Sequence, residues 1–243
     1  MKSTPIGFQD CYIKPIRDGR KTVTRRVLRL PWYLRHCCDK SKREITKGRY
    51  RGSYEITQCD ECWSRGGIVY SKYGAPGDEL WVRETFRLTR PFTGDLGHDL
   101  STWITHYYAD DHPRYRDQDK WRPWIHMPRW ASRTDLVIIS NRIERVQEIT
   151  PEDVRREGFY IASDISANFG DQEANIYLCE QFSRVWNEMH GNPKLYKRPF
   201  PHYESFPWSG EYKQREHKGL PWYIYGNPWV ERVEFKVKGA SDE

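Results

Sequence analysis

Apolar positions recur at helical spacing in two stretches, and capping residues mark a third helix. Over 10–18, Tyr12, Ile13 and Ile16 form a stripe that Asp10 is placed to cap and Gly19 to stop. Pro15 lies inside this stretch, where it removes one helical hydrogen bond. Thr150-Pro151-Glu152-Asp153 reads as a helix start, with Thr150 as cap, Pro151 in the first turn and Gly158 at the end. Over 174–190, Leu178, Phe182, Val185, Trp186 and Met189 share one face, and Gly191 follows as the stop. Elsewhere the pattern is that of strands. Residues 6–8, the β-branched 22–24, the alternating 79–86 behind the Pro76-Gly77-Asp78 turn, 105–109 and 228–237 all fit. Residues 136–146 read as one long strand or two with a bend. Residues 87–103 read as loop. Two prolines deny 121–133 a regular element. Residues 29–76 and 192–225 read as long irregular insertions. This order predicts an α+β fold: a small mixed β-barrel with flanking helices, one domain over 1–243 carrying those two insertions.

Composition changes the picture in two ways. The 243 residues include 11 Trp, 16 Tyr and 9 Phe, enough aromatic surface for a core despite a mean hydropathy of −0.92. The net charge of +6 is unevenly spread. Residues 1–51 hold 15 Lys/Arg against four acids, a net +11, and the other 192 residues sum to −5. A short segment of such excess points to a polyanion, nucleic acid first, or else to a solvated basic face. No apolar run approaches the ~20 residues of a membrane span. The first residues lack the apolar core of a secretory signal, so a cytoplasmic location without membrane partners is expected. In that setting the six Cys are thiols or metal ligands rather than disulfides. Cys11 and Cys179 fall within helical patterns and are expected in the core.

Three constellations carry possible chemistry. In Gly19-Arg20-Lys21-Thr22-Val23-Thr24-Arg25-Arg26, a Lys among like charges has its pKa pushed down, toward use as a base. Thr24 is a hydroxyl such a base can activate. Positions three apart on a regular strand face opposite ways, so a turn or bulge must reorient Lys21 for both to serve one site. The other reading of Lys21, Arg25 and Arg26 is phosphate positioning or plain solvation. The second constellation is Cys37 and Cys38, preceded by His36, with Cys59 and Cys62. The C-x2-C pair is half of a tetrahedral zinc site, and a structural zinc would order the insertion; the alternative is four free thiols. The third is an aromatic and basic weave of Trp81, Arg83, Trp121, Trp124, His126, Arg129, Trp130 and Arg133, suited to unpaired bases and phosphates. At least half of these Trp are expected in the core. Glu84, a charge in an apolar strand, is placed to pair with Arg83 or Arg133, or to meet a base edge.

The GRKTVTRR segment after a short helix resembles the signature of the ASCH domain, a branch of the PUA-like superfamily of small β-barrels. The likeness continues at PGDELWVRETF (76–86), WIHMPRWASR (124–133), ITPEDVRREGF (149–159) and NPWVERVEF (227–235), in the manner of phage and prophage ASCH proteins. The resemblance implies a cleft for RNA or modified nucleosides. It further implies, by likeness to the small bacterial enzymes, an amidohydrolase that removes the acyl group of N4-acetylcytidine or a related modified nucleoside. No cofactor is required for that catalysis. Lys21 would then be the proton acceptor, Thr24 the nucleophile and Glu157 the proton donor, with Arg25 or Arg26 at the developing oxyanion. Arg20, Arg25, Arg26, Trp81, Arg83, Glu84, His126, Arg129, Trp130 and Arg133 would line the substrate site. The alternative is a non-catalytic module that binds single-stranded RNA or DNA, or a modified nucleic acid, through the same cleft. If phage-encoded, the protein would act in the host cytoplasm.

Overall fold

The computed structural model describes residues 1–28, 45–57, 66–89, 104–110, 120–161, 170–197, 201–210 and 213–239. Their elements are mostly strands with few helices, an α+β arrangement in which the described strands form open sheets and no closed barrel. The chain forms two compact units. The first comprises 1–21, 73–139 and 235–243; the second comprises 22–72 and 140–234.

In the first unit, β1 (Ser3–Gly7) runs parallel to β6 (Glu79–Arg83), and β6 runs antiparallel to the start of β9 (Asp135–Arg145). Helix α1 (Asp10–Arg17) buries Ile13 and Ile16 as its stripe predicts, with Tyr12 half-buried. Pro15 is accommodated near the end of the helix, where its carbonyl accepts the Lys21 N–H at 2.8 Å. Gly19 follows at φ 72°, the left-handed conformation that stops a helix at little cost to glycine. Asp10 does not cap α1. Its carboxylate accepts from the Thr85 N–H and hydroxyl at 3.3 and 3.1 Å, and Gln9 stands at the cap position. Residues 87–103 are not all loop: β7 (Phe86–Thr89) pairs with β8 (Ile104–Tyr107). Phe86, Met127 and Ala131 pack together beneath that hairpin, so the proline-rich run anchors itself through two 3-10 turns, Trp124–His126 and Arg129–Ala131.

In the second unit, the rest of β9, β14 (Trp229–Val237) and β2 (Val23–Val27) lie side by side, β14 antiparallel to β2. Residues 136–146 thus give one strand, which ends at Arg145. Helix α2 (Pro151–Arg156) starts as the sequence predicts: the Thr150 hydroxyl accepts the Asp153 N–H at 3.2 Å, and Gly158 ends the turn at φ 93°. It packs on α3 (Asp171–His190), whose Leu178, Phe182 and Trp186 join Val146, Ile149, Val154 and Val230 in one core. Cys179 packs against this cluster, whereas Cys11 is exposed rather than buried.

Both insertions contain sheet. Within 29–76, β3 (Ile45–Lys47), β4 (Ser53–Ile56) and β5 (Gly67–Tyr70) form an antiparallel meander. Within 192–225, β10 (Lys194–Tyr196), β11 (His202–Ser205), β12 (Lys213–His217) and β13 (Leu220–Ile224) form a four-stranded sheet of order β10-β11-β13-β12. Hydrophobic alternation cannot reveal these strands. β11 buries His202, Glu204 and Ser205, and the Lys-Gln-Arg-Glu-His of β12 has no apolar side.

Candidate active site and its neighbours

Lys21, Thr24 and Glu157 are all buried, with 3, 4 and 5% of their surface exposed. Lys21 belongs to the first unit, and Thr24 and Glu157 to the second. Lys21 follows the helix stop, and its ammonium lies over the Tyr12 ring at 4.8 Å and the Phe8 ring at 5.9 Å. Aromatic faces attract the ammonium electrostatically and shield it from water. Thr24 sits mid-strand on β2, opposite Val233 of β14. Glu157 directly follows α2 and accepts from Arg25 Nη1 at 3.3 Å.

Arg25 is not a ligand-facing cation. Its side chain is 1% exposed and meets three carboxylates: Glu144 at 2.6 Å, Asp153 at 2.5 Å and Glu157 at 3.3 Å. Across the β2–β14 pair it stands opposite Arg232. Two guanidiniums facing each other would repel. Asp153 resolves the conflict by accepting from both, with Arg232 Nε and Nη2 each at 2.9 Å. Arg142 adds bonds to Glu144 and Asp153, and Arg156 to Glu234. Burial pushes the Asp153 carboxyl up, but the hydrogen bonds from Arg232 and Arg25 outweigh it and hold the group well below the usual carboxylate range. Glu234 is lowered by the same contest, burial against bonds from Arg156, Ser140 and Arg232.

The sequence reading missed Glu144, Asp153 and Arg232 as members of this cluster. A signal existed: Glu231 and Arg232 interrupt the apolar run of β14, and charge in such a strand implies buried partners. Of the other basic residues near Lys21, Arg20 is exposed and bonds Asp18 at 3.0 Å. Arg26 is half-buried, opposite Glu231 in the β2–β14 register.

In the first unit, Glu84 is 1% exposed and closed by Arg133, which donates to both its oxygens at 2.9 and 2.7 Å. Arg133 also bonds Asp110 and lies over the Tyr107 ring at 3.7 Å. Of the alternatives for Glu84, the pair with Arg133 is the one formed, so neither residue offers an open charge to a base edge. Trp81 is buried and Trp121 half-buried, while Trp124, His126, Arg129 and Trp130 are exposed. Cys37, Cys38, Cys59, Cys62 and His36 lie outside the described residues. Among the described residues no group of three or more His, Cys, Asp or Glu side chains is arranged to hold a metal.

No family model, curated protein or solved structure matches the chain.

Proposed function

We propose that the chain is an ASCH-type amidohydrolase acting on N4-acetylcytidine or a related N-acylated nucleoside. The finer fold assignment, a PUA-like domain, goes with this reading and rests on the α1–turn–β2 succession that presents GRKTVTRR. One observation carries it. The Lys, Thr and Glu that the signature requires are all withdrawn from water, and Arg25, the neighbour of Thr24, holds Glu157. Burial changes how readily a base and an acid exchange protons, and catalytic groups are tuned by such burial. In the proposed reaction Lys21 accepts the Thr24 hydroxyl proton as Oγ1 attacks the acyl carbon. Glu157 protonates the departing N4 amine as the C–N bond breaks. Water then attacks the acyl carbon of the threonine ester; the Glu157 carboxylate takes its proton and the Lys21 ammonium returns one to Thr24 Oγ1, so the free acid leaves and all three side chains are restored. Arg25 acts as a positioning residue for Glu157, not as the oxyanion donor.

The test is incubation of the protein with N4-acetylcytidine and chromatographic measurement of released cytidine. Turnover is expected, abolished in Thr24→Ala and reduced about 10²- to 10⁴-fold in Lys21→Ala and Glu157→Gln. Absence of turnover, or turnover undiminished in Lys21→Ala, overturns the assignment.

A further inference from the structure

The first unit carries an aromatic and cationic face that the hydrolase scheme does not use. Trp130 is 62% exposed, Ile125 53% and Trp124 39%, a concentration of large apolar surface that folding alone leaves unexplained. Trp124 is nevertheless held in place. Its ring lies so close to Gly7 that a Cβ there would approach Cε3 to 2.4 Å. Gly7 pairs with Arg83 in the β1–β6 register. The Arg83 guanidinium lies 4.5 Å from the Trp81 ring centroid and donates to the Ile125 carbonyl at 3.4 Å. Arg129 lies over the same Trp81 ring at 5.7 Å. Trp124 is thus tied to Arg83 through Gly7 and Ile125, and the Trp81 ring joins Arg83 to Arg129, with Trp130 next in sequence.

The charge of this face is incompletely met. Residues 120–133 include Lys120, Arg122, Arg129 and Arg133 and no acid. Asp135 pairs with Arg129 at 2.8 Å, and Glu84 and Asp110 take Arg133. Arg83 has no carboxylate partner among the described residues, and its buried Nε makes no hydrogen bond. A guanidinium supported on an indole and lacking an anion is a phosphate seat, and exposed indoles beside it are platforms for unpaired bases. Acidic peptides would satisfy the cation but leave the rings unused.

We propose that this face binds single-stranded nucleic acid, phosphates at Arg83 and Arg129 and bases against Trp124 and Trp130. The inference is independent of the hydrolase reading. It is tested by fluorescence anisotropy of fluorescein-labelled oligouridylate and oligothymidylate 20-mers over a series of salt concentrations, with polyglutamate as competitor. Saturable binding that weakens with salt is expected. Trp130→Ala, at an exposed site, should weaken it about five-fold or more. Arg83→Gln should reduce the slope of log K against log salt by about 0.7, the share of one single-strand phosphate. Lys213→Gln, on exposed β12 of the second unit, should bind as the unaltered protein does. Absence of saturable binding, displacement by polyglutamate as effectively as by unlabelled oligonucleotide, or unaltered binding by both Trp130→Ala and Arg83→Gln overturns the proposal.

Discussion

Asp153 shows how much one side chain can be asked to do. It caps nothing with its carboxylate and touches no proposed substrate, yet two opposed arginines depend on it. Asp153→Ala would leave Arg25 and Arg232 facing each other in a buried setting. Breaking a buried pair from one side costs about 3–5 kcal/mol, so urea unfolding of that variant should show a loss of this order. A loss under about 1 kcal/mol would mean that water or Glu144 and Glu234 take over its role. Gly7 is the second such position. Gly7→Ala forces the Trp124 ring aside, with an expected cost of about 1–3 kcal/mol and a shift in tryptophan emission. Lys21 and Thr24 are singled out by one string, GRKTVTRR, and Glu157 by another, ITPEDVRREGF; the structure adds that all three are buried. The partners of Arg25 were not legible in the sequence, because Glu144, Asp153 and Glu157 lie 119 to 132 positions away along the chain. Such a pairing is set by tertiary approach and leaves no local periodicity.

Elements announce themselves when their stabilisation is local. The α2 start was legible because Thr150, Pro151 and Asp153 do their work within one turn. Thr150→Ala should cost about 0.5–2 kcal/mol, read as a lower urea midpoint with the slope unchanged, while Thr150→Ser should restore it. Helix α3 was legible for a different reason: Leu178, Phe182 and Trp186 recur at four-residue spacing and all face the core. β11 gave no such sign. Its inward residues are His202 and Glu204, joined at 3.2 Å, with the His202 ring stacked on Tyr196 at 5.8 Å. A strand that buries polar groups against each other looks like loop to any reading based on apolar alternation.

For the molecule as a whole, the net charge matters less than where opposite charges are locked together. Asp153 and Glu234 are lowered against the opposing effect of burial, and Asp110 is lowered chiefly by its hydrogen bond from Arg133. The folded state therefore binds fewer protons than the unfolded chain near pH 4, and stability rises with pH there. Urea midpoints should be level from about pH 5 to neutrality and fall steadily below about pH 4. Asp153→Asn should flatten that acid limb; an equally steep limb in the variant would remove Asp153 from the account. No described helix is long and apolar enough to cross a membrane. β9 and β14 each begin in one unit and end in the other, which the sequence pattern does not show. That has a consequence for synthesis. β2 is finished at Val27, but its neighbour β14 begins only at Trp229. At about 5–20 residues per second, the first strand of this pair waits about 10–40 s on the ribosome for the second. The five-stranded sheet cannot be complete before then, so β14 sets the moment at which β2 finds its neighbour.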